Sequence, residues 1–445
     1  MATLIAVFLS AQLMLPNKAL SQSLGASSQI DIRHSLDIRY ALGFDKGETQ
    51  LAEISYKPEL SGRLNDGIDY FVSARIRAFS SQALEQGTVN NQGDSRSHIN
   101  RRSFIGGNIE LELKEAYADI FTDNGYLRIG KQTVVWGQAD GLRVLDQINP
   151  LNYREFILGD IEDRRIALWM AKLEHSFANI TAEFIWLPDH SYNDSPNDGP
   201  FKPTSPRLVP ALSESFRGTV IQQPSDRPNR FIRDDDYALR LSGFSQGWDW
   251  SLNAFYFYDD SAAINVDSKL GSELILSPSY KRSLLLGGSA SNAFDKLTFR
   301  SELAYQTNKH QLVNNKPGLN TLNKTEKFDQ ISSVLGLDYQ LSANTLISGQ
   351  LFVSALLDSG DIDQTYNSAT LLARQELLND TVILEGLIIH DLDKSDGSLQ
   401  LSAKYYLDDA ITLKTGMDIF YGDREGLYGQ FREASRMTVG LEYNF

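Results

Sequence analysis

Apolar and polar residues alternate along much of this chain. The alternation is clearest in residues 68–79, 248–259 and 410–421, where apolar side chains occupy almost every second position over about ten residues. Successive side chains of a β-strand project to opposite faces, so each of these segments predicts a strand with one apolar and one polar face. Segments of this length and pattern are typical of strands that cross a membrane within a closed barrel.

The same pattern predicts eighteen strands. They are residues 29–43, 49–64, 68–80, 108–121, 125–136, 165–176, 178–187, 236–245, 248–259, 278–293, 296–307, 328–341, 344–356, 369–378, 381–391, 398–408, 410–421 and 434–445. Segments 49–64 and 165–176 alternate poorly, which leaves sixteen strands as an alternative. Short links alternate with mostly longer connections, as in outer-membrane barrels, and this order places both termini in the periplasm. We therefore expect an all-β, transmembrane, antiparallel up-and-down barrel rather than a soluble β-sandwich.

Both ends of the chain fit export to the outer membrane. Residues 3–15 are apolar and a small-x-small site follows, so residues 1–21 are predicted to be a signal peptide and 22–445 the barrel. The last ten residues alternate strictly and end on Tyr443 and Phe445. This resembles the terminal strand of bacterial outer-membrane barrels, in which the final aromatic residue is an assembly signal. The resemblance implies recognition by the barrel-assembly machinery.

Composition excludes several other classes of protein. The chain has 445 residues, no Cys and a net charge of −15. Without Cys there is no disulfide framework, thiol nucleophile or Cys-based zinc site. The acidic balance argues against nucleic acid as a partner, because such a surface needs a basic footprint. After the first 15 residues no apolar run approaches the roughly 18 that cross a bilayer as a helix.

The connection 137–164 differs from the other, mostly polar, long connections. It contains eight large apolar residues, and residues 151–158 after Asn149-Pro150 predict a short helix that ends at Gly159. An apolar loop needs shelter from water, so we expect it to fold into the lumen as a constriction or plug. The charged residues expected at the constriction are Arg143, Asp146, Arg154, Glu155, Asp160, Glu162, Asp163, Arg164 and Arg165.

Charged residues of the strands contribute to the same lumen. Arg75, Arg77, Arg300 and Glu302 lie on polar strand faces and are predicted to line the wall. Opposed charges at a narrow point would create a transverse field that orients polar solutes. The alternative is that the ion pairs only hold the connection in place, and the two roles are compatible.

The residues around this connection form a set of short motifs. They are Leu113-Lys114-Glu115-Ala116-Tyr117, Leu127-Arg128-Ile129-Gly130-Lys131-Gln132, Trp136-Gly137, Ala139-Asp140-Gly141-Leu142-Arg143-Val144, Arg154-Glu155-Phe156 and Glu162-Asp163-Arg164. Together they resemble a family of proteobacterial outer-membrane proteins that carries a domain-of-unknown-function label. The resemblance is densest over about 60 residues and implies the barrel fold without a substrate. Members often accompany RND-type inner-membrane exporters, so the resemblance also implies such a partner.

Signatures of catalysis and of cofactor or metal binding are weak. Gly243-Phe244-Ser245-Gln246-Gly247 fits the G-x-S-x-G pattern of hydrolases, but it falls between two predicted strands rather than at a strand-to-helix elbow. Residues 391–397 are similar to a calcium loop but lack its final Glu. We predict no enzymatic activity, no cofactor and no metal site.

The sequence as a whole predicts a porin-like channel in the outer membrane of a Gram-negative cell. It would move small molecules across that membrane, as an open pore or as the outer partner of an RND-type exporter. The alternative is a barrel without open-pore activity, either plugged and handling lipids or amphiphiles, or acting as a structural or receptor protein. Outer-membrane lipid and lipopolysaccharide are the expected surroundings.

Overall fold

The computed structural model describes residues 30–80, 95–196, 198–209, 219–269, 273–313, 324–357 and 365–445. The predicted signal peptide, residues 1–21, lies outside these residues. Within the described ranges, no helix is both long enough and apolar enough to cross a membrane.

Twenty-two strands are present in the described part of the chain. They are β1 (Ile30–Gly43), β2 (Thr49–Asn65), β3 (Ile68–Phe79), β4 (Ser103–Ile105), β5 (Ile109–Thr122), β6 (Gly125–Gln132), β7 (Leu168–Phe177), β8 (Ile180–Leu187), β9 (Thr219–Gln222), β10 (Asp236–Ser245), β11 (Trp248–Tyr258), β12 (Ala263–Lys269), β13 (Glu273–Ser279), β14 (Arg282–Phe294), β15 (Leu297–Val313), β16 (Lys324–Ser342), β17 (Thr345–Leu357), β18 (Thr365–Leu377), β19 (Val382–Asp391), β20 (Asp396–Tyr406), β21 (Ile411–Tyr421) and β22 (Arg436–Asn444). The helices are α1 (Ile161–Arg164) and the 3₁₀ helix Gly429–Ala434.

Eighteen of these strands form one closed antiparallel barrel. The ring includes every strand except β4, β9, β12 and β13, and each member pairs with the barrel strands before and after it in the chain. β1 pairs with β22 from Ser35↔Asn444 to Gly43↔Arg436, which closes the ring and leaves no free sheet edge. The predicted up-and-down barrel of eighteen strands is therefore confirmed, and the sixteen-strand alternative is excluded.

The two faces of the barrel wall follow the predicted alternation. In β11, Leu252 and Tyr256 are about half exposed on the outside, whereas Asn253 and Phe255 between them are buried on the inside. Large apolar side chains are exposed in the same way on strands all around the ring. In lipid this outer face would be covered by acyl chains, and the closed ring satisfies the backbone hydrogen bonds of the wall.

The two ends of the barrel differ in their connections. At one end, which we call the turn end, short links join the strands. Gln246 and Gly247 both have positive φ (52° and 86°), as a two-residue hairpin turn of type I′ requires. At the other end, the loop end, the connections are mostly long, and they contain β4, α1, the 3₁₀ helix and a small sheet of β9, β12 and β13.

Strand boundaries near the loop end correct the sequence prediction. The strand expected at 278–293 begins at Arg282, because residues up to Ser279 belong to β13 of the small sheet. The strand expected at 165–176 begins at Leu168, and the one expected at 125–136 ends at Gln132. In both cases the residues that were expected in the strand but lie outside it belong to the connection between β6 and β7. Their backbone groups do not take part in the pairing of the barrel strands.

Candidate functional site

Residues 137–164, which we call the crossing segment, leave the end of β6 and contact the inner faces of β15 and β17. The carboxylate of Glu302 on β15 accepts the backbone N–H groups of Gln138 and of Leu145, the latter at 3.1 Å. Asp140 accepts Nη2 of Arg300 at 2.6 Å and Nε2 of Gln350 at 2.7 Å. Two wall strands therefore hold the first part of the segment.

A second set of ion pairs holds the segment at the loop end. Arg154 Nη2 donates to Glu53 on β2 at 2.7 Å. Glu155 accepts Nη2 of Arg436 on β22 at 2.6 Å and Nη2 of Arg39 on β1 at 3.3 Å. Burial on its own would raise the pKa of Glu155, but these guanidinium groups outweigh it and hold that pKa well below its usual range. The ion pairs therefore favour the charged form of Glu155.

The two anchoring strands lie opposite each other in the ring. Counting barrel strands from β1, β2 is the second and β15 the eleventh, so nine of the eighteen positions separate them in either direction. Glu53 and Glu302 both point inward from these strands. A segment that contacts the inner faces of two opposite strands has to pass across the lumen.

Apolar packing fills one side of the lumen around the segment. Leu145 is fully buried and Ile148 is 2% exposed. The cluster formed by the segment and the residues just before it also contains inward-facing residues of β7, β8, β10, β11 and β14–β17. These are Leu168, Met170, Ile185, Leu187, Ala238, Phe255, Phe257, Leu285, Ala304, Val334 and Phe352. Gly287 on β14 makes room for this packing, because a Cβ there would lie 2.5 Å from Leu145 Cδ2. This half of the barrel is closed by a packed core.

The far part of the segment packs against the other side of the wall. Phe156 and Leu158 join a buried cluster with Ile389 on β19, Phe420 on β21 and Phe431 of the 3₁₀ helix. The ring centroids of Phe156 and Phe431 are 4.6 Å apart. The segment is thus fixed by apolar contacts as well as by ion pairs on both sides.

A cavity of about 590 Å³ remains beside the segment. Its walls are the segment and the inner faces of β1–β3 and β18–β22. Eight of the nine predicted constriction residues line it: Arg143, Asp146, Arg154, Glu155, Asp160, Asp163, Arg164 and Arg165. Glu162 does not line the cavity, and its side chain is exposed in the single turn of α1.

Two arginines of the cavity have no carboxylate partner among the residues that the structure describes. Arg143 donates to the carbonyl oxygen of Asn149 at 2.8 Å, and Arg164 donates to that of Phe156 at 3.4 Å. By contrast, Arg165 forms an ion pair with Asp146 at 2.7 Å. Burial, with the added repulsion of Arg143 and Arg165, lowers the pKa of Arg164 to about 10. Both unpaired guanidinium groups leave donors for a solute.

The wall residues predicted from the sequence all face the interior. Arg75 and Arg77 line the cavity, and Arg300 and Glu302 contact the segment. The sequence analysis did not predict the carboxylates that neutralise Arg75 and Arg77. Glu112 accepts Arg75 at 2.7 Å and Glu110 accepts Arg77 at 2.7 Å. Glu110 and Glu112 lie two residues apart on the polar face of β5, which pairs with β3. This pattern could have predicted them as partners of the two arginines.

The predicted helix at 151–158 is wrong. Leu151 forms a bridge with Arg165, and Asn152 N–H donates to the carbonyl oxygen of Arg164 at 2.8 Å, so these residues pair with a distant part of the segment. The Asn152 side chain accepts Arg154 N–H at 2.8 Å, and Phe156 has φ 53°. Turns replace the helix, and the helical turn falls instead at α1.

No arrangement for hydrolysis or metal binding is apparent in the described ranges. Ser245 ends β10 in a hairpin turn, not at a strand-to-helix elbow. Asp391 accepts the backbone N–H groups of Asp393 and Lys394, which makes residues 391–395 a tight turn. No group of three or more His, Asp or Glu residues that could hold a metal ion occurs in the part of the chain that the structure describes.

A closed ring of eighteen strands with an apolar outer face and a charged lumen defines a barrel of the outer-membrane class. Within that class, the chain belongs to a family of proteins of unknown function, DUF1302, whose model matches residues 39–413. The family resemblance expected from the sequence is thereby confirmed. No curated protein matches the chain.

Several solved structures have a similar fold. A loop L8 deletion mutant of OmpT, an outer membrane protein of Vibrio cholerae, is 8% identical with a TM-score of 0.43, over 94% of this chain and 100% of that one. OmpF of Salmonella typhi in complex with daunomycin is 10% identical with a TM-score of 0.43, over 94% and 98%. A mutant of Rh. blastica porin is 10% identical with a TM-score of 0.41, over 94% and 100%.

Proposed function

We propose that this protein is an outer-membrane channel for small polar solutes, with the crossing segment as its constriction. In this arrangement both termini lie in the periplasm and the loop end faces the outside. The observation that carries the proposal is the cavity of about 590 Å³ that remains between the segment and the inner faces of β1–β3 and β18–β22. Among the described residues, apolar packing around Leu145 fills much of the other half, so in this proposal a solute passes on the side of the cavity.

The charges around the cavity support a role in selecting polar solutes. Arg39, Arg75 and Arg77 project from the wall on one side, and Asp160 and Asp163 project from the segment. Charges of opposite sign across a narrow passage orient dipolar solutes and make entry unfavourable for apolar ones. Arg39 also pairs with Glu155 of the segment at 3.3 Å, so this wall arginine both charges the passage and holds the segment in place.

Single-channel conductance in a planar bilayer tests this proposal. The intact barrel is compared with a variant in which residues 138–162 are replaced by a short Gly/Ser linker. We expect steady conductance from the intact protein and a larger step from the variant, because the variant removes the constriction. Replacement of the exposed residues 44–48, outside the crossing segment, by five Gly/Ser residues serves as the control. Silence in both forms would exclude a channel.

A plugged barrel is the second candidate, and the buried Leu145 cluster favours it. A segment packed as tightly as a protein core could close the passage until a periplasmic partner displaces it. In that case the intact barrel is silent and the linker variant conducts. Association with an RND-type exporter stays a prediction of the family resemblance, and it would be tested first if this second result were obtained.

A further inference from the structure

Four consecutive exposed residues form a turn just before β10. Arg230, Phe231, Ile232 and Arg233 all point into solvent, and Phe231 and Ile232 are 68% and 61% exposed. Two large apolar side chains between two arginines are costly to expose to water. An exposed group of this kind indicates a partner that offers both apolar and anionic surface.

The turn is held in a defined shape by buried carboxylates. Asp234 accepts the backbone N–H of Asn229 at 3.2 Å and that of Arg230 at 3.0 Å. Asp235 accepts the N–H of Ile232 at 3.0 Å. Ile232 has φ 66°, a left-handed conformation that is unfavourable for a β-branched residue and that persists only where surrounding contacts enforce it.

The turn folds over the outward face of the barrel. The Tyr237 hydroxyl donates to the carbonyl oxygen of Ile232 at 2.8 Å, and the Phe231 ring packs edge-on against Trp186 at 5.7 Å. Trp186 and Tyr237 are register partners on β8 and β10. Ile185 and Leu187 on either side of Trp186 belong to the lumen cluster, so Trp186 faces outward. The exposed turn therefore lies at the loop end of the lipid-facing wall.

The exposed charge of this surface is positive. Asp234, Asp235 and Asp236 are all under 8% exposed and are engaged by the turn, by Trp186 and by Arg282. Arg230 contacts Asp234 at 3.2 Å but stays 60% exposed. Arg233 has no carboxylate within ion-pair distance in the described ranges. Two guanidinium groups are thus available to an anion beside two apolar side chains.

We propose that residues 230–233 bind the phosphorylated head group of lipopolysaccharide at the outer surface of the membrane. Guanidinium groups bind phosphate oxygens through paired N–H donors, which suits Arg230 and Arg233. Phe231 and Ile232 enter the acyl region next to the outward-facing Trp186 and Tyr237, at the depth where aromatic side chains concentrate in barrels. The assignment rests on the proposed function only for which end of the barrel faces outside.

Binding of diphosphoryl lipid A to the purified full-length barrel in detergent, followed by native mass spectrometry, tests this proposal. We expect the R230A/R233A variant to bind roughly 30-fold more weakly, since each basic residue near an anionic lipid surface contributes about a factor of five. The F231S/I232S variant should also lose affinity. The control is F44S/R424A, which removes an exposed apolar residue and an exposed arginine from other connections at the loop end.

Three outcomes overturn the proposal. Equal binding of lipid A by wild type, R230A/R233A and F44S/R424A would show that the turn is not the site. Equal binding of diphosphoryl lipid A and of lipid A from which both phosphates have been removed would show that phosphate is not the recognised group. A change of oligomeric state in F231S/I232S without loss of lipid binding would assign the turn to a contact between copies of the chain. In each case conductance of the same variants tests the channel separately.

Discussion

Arg154 in the crossing segment donates to Glu53 on β2 at 2.7 Å, and both side chains are at least 95% buried. Glu53 also contacts Arg39 at 2.8 Å and Arg77 at 3.7 Å, so one carboxylate balances guanidinium groups from the wall and from the segment. Bulk water solvates neither the Glu53 carboxylate nor the Arg154 guanidinium group. The segment and the wall are therefore electrostatically dependent on each other.

Replacing Glu53 with Gln should destabilise the barrel strongly. The substitution leaves buried guanidinium groups without their shared carboxylate, and breaking a buried pair in this way costs about 3–5 kcal/mol. The measurement is the temperature at which the barrel loses its resistance to SDS. The control is E433Q, because Glu433 is half exposed in a surface pair with Arg424, and such pairs contribute less than about 1 kcal/mol. Equal melting of the two variants would contradict the prediction.

Leu145→Ala should loosen the crossing segment. Leu145 is fully buried against Gly287, and truncating a buried leucine costs about 2–5 kcal/mol through lost contacts and the cavity left behind. We expect a lower unfolding temperature and more frequent fluctuations of the single-channel current. Leu378→Ala, in a turn where the side chain is 73% exposed, is the matched control and should change neither. An L145A barrel with an unchanged unfolding temperature and no additional current fluctuations would show that this packing does not hold the segment.

Removing the two unpaired arginines should reduce the permeability of anions. Arg143 and Arg164 line the cavity and have no carboxylate partner among the described residues, so they attract anionic solutes to the constriction. In R143A/R164A we expect the anion-to-cation permeability ratio to fall roughly fivefold, which corresponds to about 1 kcal/mol at solvent-like screening. The reversal potential in a KCl gradient measures this ratio. R424A, which changes an exposed arginine outside the cavity, should leave the ratio unchanged.

The barrel could be predicted from the sequence because its signal is local. Each strand shows the two-residue period by itself, and pairing of neighbours along the chain then determines the whole ring. The small sheet could not be predicted in this way. Its parallel pair β9–β13 joins residues more than 50 positions apart, from Thr219↔Glu273 to Gln222↔Leu276, and no local pattern specifies that contact.

The candidate site was predicted in composition but not in geometry. Eight of the nine charged residues expected at the constriction do line one cavity. Their partners, such as Glu53 for Arg154 and the Glu302 carboxylate for Leu145 N–H, depend on which strands lie opposite in the closed ring. The predicted helix at 151–158 failed for a related reason, because the backbone of Leu151 and Asn152 bonds to residues on the return path of the segment.

The contacts of the crossing segment with β2 and β15 also bear on the shape of the barrel cross-section. A ring of hydrogen-bonded strands can flatten toward an ellipse without breaking any strand pair. A segment bonded to two opposite strands sets the distance between them, and elongation of the ring along that diameter would separate Arg154 from Glu53 or Leu145 from Glu302. The outline of the wall is therefore fixed from within, and changes in the size of the passage have to come from the segment.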